Sequence, residues 1–145
     1  MTEKDLYKYK YAVVEERRRR QALMEHEKRL NAIRLSTTPT TPGGGGSDTS
    51  GKIAADIERV DRCRAKLKEA IEEVSIAELT LEAARKRLDE RERAVFDALY
   101  YGYVNIAGER IFCTIYEASK RLRYSQSAIY KIRSRMLNKL SPVAV

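Results

Sequence analysis

The strongest constraint on this chain is a repeat of seven in its middle. Val60, Leu67, Val74, Leu81 and Leu88 recur at every seventh position, and Cys63, Ala70, Ala77 and Ala84 recur at every seventh position between them. Alternating steps of three and four residues keep a seam on one face of a helix and on neither face of a strand. One seam position is large and the other small, so a neighbouring helix can approach closely. Residues 52–88 are therefore predicted as one long amphipathic helix, about 50 Å long at about 1.5 Å per residue. Such a helix cannot leave its seam in water, so it demands a partner.

Residues 1–35 are the obvious partner within the chain. They hold strong helix formers and few breakers, with apolar patches at Leu6, Tyr9 and Val13 and at Leu23, Leu30 and Ile33. Between the patches lie Arg17–Arg20, flanked by Glu15, Glu16, Glu25 and Glu27. Adjacent helical positions point all round the axis, so this run reads first as a solvated, ion-paired face and second as a nucleic-acid patch. Tyr7, Tyr9 and Tyr11 read as half-buried packing against a partner helix rather than as base-stacking rings. Residues 36–51, STTPTTPGGGGSDTSG, read as a flexible linker, because two prolines stop a helix and four glycines hold no fixed backbone. The N-terminal helix 1–35 and the helix 52–88 would then form an antiparallel hairpin. A homodimeric coiled coil through the cleaner seam is the rival arrangement.

The remaining stretch, 89–145, changes character. Asp89–Tyr100 reads as a further helix running on from the seam helix, with or without a kink, and with Ala94, Val95, Ala98 and Leu99 inward. Val104 and Ile106, then Ile111 and Cys113, alternate about Ala107-Gly108, as in a short β-hairpin or an ordered loop. Thr114 followed by Glu117 is a capping-box signal, and Ile115, Ala118 and Leu122 share the helical face that follows. Ser125 is a second N-cap candidate before Ile129, Ile132, Met136 and Leu140. Two short helices joined by a tight turn are the outline of a helix-turn-helix.

Charge gives this outline a partner. The chain carries a formal +8, and from Ala118 to Leu140 it has seven basic residues (Lys120, Arg121, Arg123, Lys131, Arg133, Arg135 and Lys139) and no acidic one. A helix that packs on one side and is polar and basic on the other suits double-stranded DNA. Near the start of a recognition helix, Gln126, Ser127, Tyr130 and Lys131 are the candidates for base edges: Gln can bridge adenine and Lys can reach guanine acceptors. Arg123, Arg133, Arg135 and Lys139 are the candidates for phosphates, which fix register.

Other chemistries lack raw material. Cys63 and Cys113 stand apart without metal-type neighbours, and His26 is the single histidine. No nucleophile-base-acid set is legible, and the carboxylates sit at spacings that suit helical ion pairs. Gly51-Lys52 is followed by Ile53 with no strand before it, so no phosphate-binding loop is implied. The expectation is a non-enzyme with no cofactor and no metal. No apolar run approaches a membrane span, the N-terminus is too charged for a signal peptide, and reduced thiols fit a cytoplasm.

LDERERAVFDALYYG and IYEASKRLRYSQSAIYKIRSRMLNKL together resemble region 4 of sigma-70-type factors and its small phage relatives. The whole layout resembles the RinA/ArpU-like phage and prophage transcriptional regulators more closely, and YSQSAIYKIRSRMLNKL carries the most specific likeness. The resemblance covers roughly residues 88–140; the N-terminal half matches by layout alone. It implies an all-α fold, a long helical hairpin followed by a sigma region 4-like helix-turn-helix. It also implies promoter-proximal DNA binding and control of phage late or packaging genes, with RNA polymerase as a candidate partner, in the cytoplasm of a bacterial host. Carried over by position, Gln126, Ser127, Tyr130 and Lys131 fall on the base-facing part of the recognition helix. Two departures stand out: a longer segment before Thr114, and Arg123 where a glycine is common in the turn. Nothing resembles the segment with which sigma factors melt promoters. A small terminase-like packaging protein and a coiled-coil scaffold are the rival functions.

Overall fold

A computed structural model of the 145-residue chain describes residues 1–36 and 46–141. The fold is all-α apart from one two-stranded ribbon. In chain order it runs α1 (Glu3–Ser36), α2 (Gly46–Arg85), α3 (Glu90–Phe96) with a π-helical turn (Asp97–Tyr101), β1 (Tyr103–Val104), β2 (Arg110–Ile111), α4 (Ile115–Leu122) and α5 (Gln126–Leu140). The stretch read as a linker, 36–51, is narrower at both ends: α1 runs through Ser36 and α2 begins at Gly46. Residues 37–45 lie outside the described residues.

The chain packs as two units, Glu15–Glu72 and Met1–Val14 with Glu73–Val145. In the first unit, the later part of α1 lies antiparallel to the earlier part of α2. Glu27 pairs with Arg64 at 3.2 Å, and Leu30, about one turn on, is buried together with Val60, about one turn back. Leu67 and Ala70 extend the buried seam, and Cys63 is half-buried on it, a packing residue as its repeat position implies. The arginine run is solvated, with Arg18 and Arg19 on Glu15 and Arg20 on Glu16. Exposed pairs of this kind contribute little stability, about 0.2–1 kcal/mol each.

The second unit holds the larger core. Leu6, Tyr9 and Val13 from the first turns of α1 join Leu81, Ala84 and Leu88, then Val95, Phe96, Ala98, Leu99 and Tyr100, then Ala118, Ile129, Ile132, Met136 and Leu140. The start of α1 is thus part of the C-terminal core, which separate domains at 1–35 and 89–145 do not anticipate. The seam of α2 supplies both cores: Val60 and Leu67 are buried in one, Leu81 and Ala84 in the other.

The junction between the seam helix and the helix after it, expected to run on with or without a kink, is a full break. α2 ends at Arg85, its last turn tightens through bonds from Arg87 N–H to the Ala84 carbonyl and Leu88 N–H to the Arg85 carbonyl, and Asp89 caps a new helix. Asp89 accepts from the Glu92 N–H (2.8 Å) and Glu92 Oε1 accepts from the Asp89 N–H (3.1 Å), a reciprocal capping box. That box satisfies two N–H groups that a helix start leaves without partners, which favours a fresh start over continuation. The Asp-x-x-Glu spacing was present in the sequence as its signal.

The expected hairpin forms, with Tyr103 opposite Ile111 and Val104 opposite Arg110. Gly102 makes it possible. Its φ is +80°, and an added Cβ would lie 2.6 Å from the Ile111 carbonyl oxygen. Arg110 fastens the ribbon inward, donating to the carbonyls of Tyr101 (3.0 Å) and Gly102 (3.2 Å) and lying 4.7 Å over the Tyr101 ring, which stacks on Tyr9. Phe112 packs half-buried against Tyr9.

Candidate nucleic-acid interface

The two helices at the C-terminal end begin where their caps dictate. Thr114 Oγ1 accepts from the Glu117 N–H at 3.2 Å and its hydroxyl donates to Glu117 Oε1 at 3.3 Å. Ser125 Oγ accepts from the Ala128 N–H at 3.1 Å. Between the helices, Arg123 takes the left-handed conformation, φ 58° and ψ 37°. It occupies the backbone region that glycine favours, so the arginine keeps the tight turn instead of remodelling it. The turn is held from one residue: the Ser119 carbonyl accepts from the Tyr124 N–H (3.1 Å), and the Ser119 hydroxyl donates to the Tyr124 carbonyl (2.7 Å).

Packing then sorts the side chains of α5. Ile129, Ile132, Met136 and Leu140 are buried, and Ala118 of α4 is fully buried in the same core. Gln126, Ser127, Tyr130 and Lys131, the base-edge candidates, are all exposed on the other side, Tyr130 by half its surface. Ser134 and Asn138 are exposed as well. The candidates therefore share one solvent-facing helix surface backed by a packed one.

The phosphate candidates divide. Arg123 and Arg135 are exposed. Arg133 is turned to the protein: its guanidinium is ion-paired with Glu3 of α1 and donates to the Tyr100 hydroxyl at 3.1 Å. Partial burial disfavours its charge, but the bonds to Glu3 and Tyr100 outweigh that and raise its pKa. Lys139 is spent likewise, on the buried carboxylate of Glu92 and on Asp89 at 3.8 Å. Helical spacing alone placed these two with the exposed cations. Their partners lie 130 and 47 positions away in the chain, beyond the reach of any local pattern.

Two further cations, both on α4, lie over aromatic rings. Lys120 lies 4.4 Å over Tyr116, and Arg121 lies 3.7 Å over Tyr103 of the ribbon. Both side chains remain exposed, so the rings orient charge that a polyanion could still reach. Tyr116 is exposed by more than half and was absent from the sequence-based candidates.

Among the described residues, no group of three or more His, Cys, Asp or Glu comes together to hold a metal. The Cys113 thiol is half-buried and its pKa is raised by that burial, away from the reactive thiolate. No described helix is long and apolar enough to cross a membrane. Comparison of the chain with protein-family models, with characterised proteins and with solved structures returns no match.

Proposed function

We propose that this chain is a sequence-specific duplex-DNA-binding regulator of transcription, with α4 and α5 acting as a helix-turn-helix and α5 entering the major groove. The observation that carries this reading is the two-sidedness of α5. Four apolar side chains seat it on the core, while its outer face presents only polar and basic groups, with no acid from Ala118 to Leu140. Carboxylates there would repel phosphate, and cations released from DNA on binding supply most of the affinity of such a surface. On this reading Gln126, Ser127, Tyr130 and Lys131 face bases, and Arg123, Arg135, Lys120 and Arg121 face phosphates.

From the resemblance of residues 88–140 to sigma-70 region 4 and to RinA/ArpU-like regulators we infer further that the activity lies near phage or prophage late promoters, in a bacterial cytoplasm and in contact with RNA polymerase. A homodimer would double the half-site. The decisive experiment is retention of fragmented source-genome DNA by the protein at about 150 mM salt, where phosphate-driven binding has weakened. A few sharp peaks upstream of genes, lost in Lys131→Ala or Tyr130→Ala variants that remain folded, are the expected result. A single peak beside packaging genes, with a ring-sized mass by light scattering, would favour a terminase-like role instead. Absence of any enrichment would remove α5 as a reader.

A further inference from the structure

Sequence reasoning placed base contacts at the start of α5, and packing reveals that the same face continues to its end. Ser127, Lys131, Ser134 and Asn138 follow one another at steps of four, three and four, so they form a straight line along the helix. All four are exposed, and the line lies opposite the buried one made by Ile129, Ile132, Met136 and Leu140. Their side chains are unspent: among the described residues no hydrogen bond or ion pair engages Ser127, Lys131, Ser134 or Asn138. The neighbouring Arg133 and Lys139 are, by contrast, tied down to Glu3 and Glu92.

Resting on the DNA-binding reading above, we infer that Asn138 is a second specificity-determining residue, reading a base pair at the far edge of the site. Three features support it. The span from Ser127 to Asn138 is about 16 Å at the helical rise, which corresponds to about five base pairs along the duplex. Ser134, between Lys131 and Asn138, is short enough to let the helix sit close to the groove floor. Arg135, exposed and three residues before Asn138, gives this half of the helix its own phosphate contact. A carboxamide places an N–H donor and a carbonyl acceptor side by side in one plane, complementary to the N7 acceptor and N6–H donor that adenine presents in the major groove, so an A·T pair is the assigned target.

The test is selection of binding sites from random duplexes by the full chain, sequenced, for the unmodified protein, Asn138→Ala and Lys131→Ala. Asn138 is exposed and alanine favours helix, so the fold survives the change. The expected result is a motif in which Asn138→Ala loses adenine preference at one edge position by about 5- to 100-fold, with the remainder intact. Lys131→Ala should lose preference at a different, more central position. An Asn138→Ala motif identical to that of the unmodified protein overturns this inference and leaves DNA reading by α5 standing. No motif from the unmodified protein overturns both.

Discussion

Arg133 on α5 is ion-paired with Glu3 in the first turn of α1, and the Tyr100 hydroxyl lies 3.1 Å from the same guanidinium and 3.2 Å from the same carboxylate. This three-membered contact joins the start of the chain to the last helix within one unit. It gives Arg133 a partner within the protein. Arg133→Ala is therefore expected to cost about 1–2 kcal/mol of stability. Glu3→Gln should cost less, and a double-mutant cycle between them should return a coupling of about 1 kcal/mol. Denaturant midpoints of the four proteins measure it. A variant with unchanged stability and lost DNA retention would return Arg133 to the phosphates.

Arg123 carries opposite roles in stability and in binding. A non-glycine residue in the left-handed region costs about 1–2 kcal/mol, and glycine gives part of that back as unfolded-state entropy. Arg123→Gly is expected to raise stability by about 0.5 kcal/mol. The same change should weaken DNA retention and lower the salt slope by about one unit, the signature of one lost phosphate contact. Unfolding curves and retention over a salt series separate the two effects.

Gly102 admits no side chain. With φ at +80° and the Ile111 carbonyl 2.6 Å from where a Cβ would sit, Gly102→Ala must shift the ribbon or break the turn. The expected cost is about 2–3 kcal/mol, read as a lower midpoint of unfolding. Gly108 also has positive φ (79°), but an added Cβ there meets open space, so Gly108→Asn should be far milder.

Asp5 sets an acid limit at the start of α1. The Thr2 N–H donates to its carboxylate at 2.9 Å, and with the Lys8 ammonium at 3.0 Å this holds its pKa down to about 2 from an ordinary 3.8. The folded chain binds this proton less tightly than the unfolded chain does. The contribution is therefore complete above pH 3.8 and is lost as pH falls through about 2. Asp5→Asn should unfold at a lower temperature than the unmodified protein near neutrality, and the two curves should converge in acid. Parallel curves at every pH would show that the Asp5 carboxylate plays no part.

Much of the helical plan was legible in the sequence, because its signals are local. The seam from Val60 to Leu88 marked α2, Thr114 and Ser125 marked the caps of α4 and α5, and the alternation about Ala107-Gly108 marked the ribbon. The break at residues 86–88 was legible too, in the Asp89–Glu92 spacing, but a strong seam that continues through Leu88 masked it. Leu88 is buried although it lies outside α2, so the repeat reports burial there and not helix.

The sequence by itself determined where the helices lie to within a few residues at their ends and which face of α2 and α5 is apolar, since periodicity and capping depend on neighbours three or four positions apart. Only the tertiary structure decided which core each patch enters and which cations stay available. Leu6, Tyr9 and Val13 join the C-terminal core, Arg133 meets Glu3, and Lys139 meets the buried Glu92. The reason is physical. A helical wheel places side chains at the edge of an apolar stripe without saying what packs beside them. Long flexible cations at that edge reach whichever carboxylate the fold brings near, and a buried carboxylate without a partner costs several kcal/mol, on the order of 3–5.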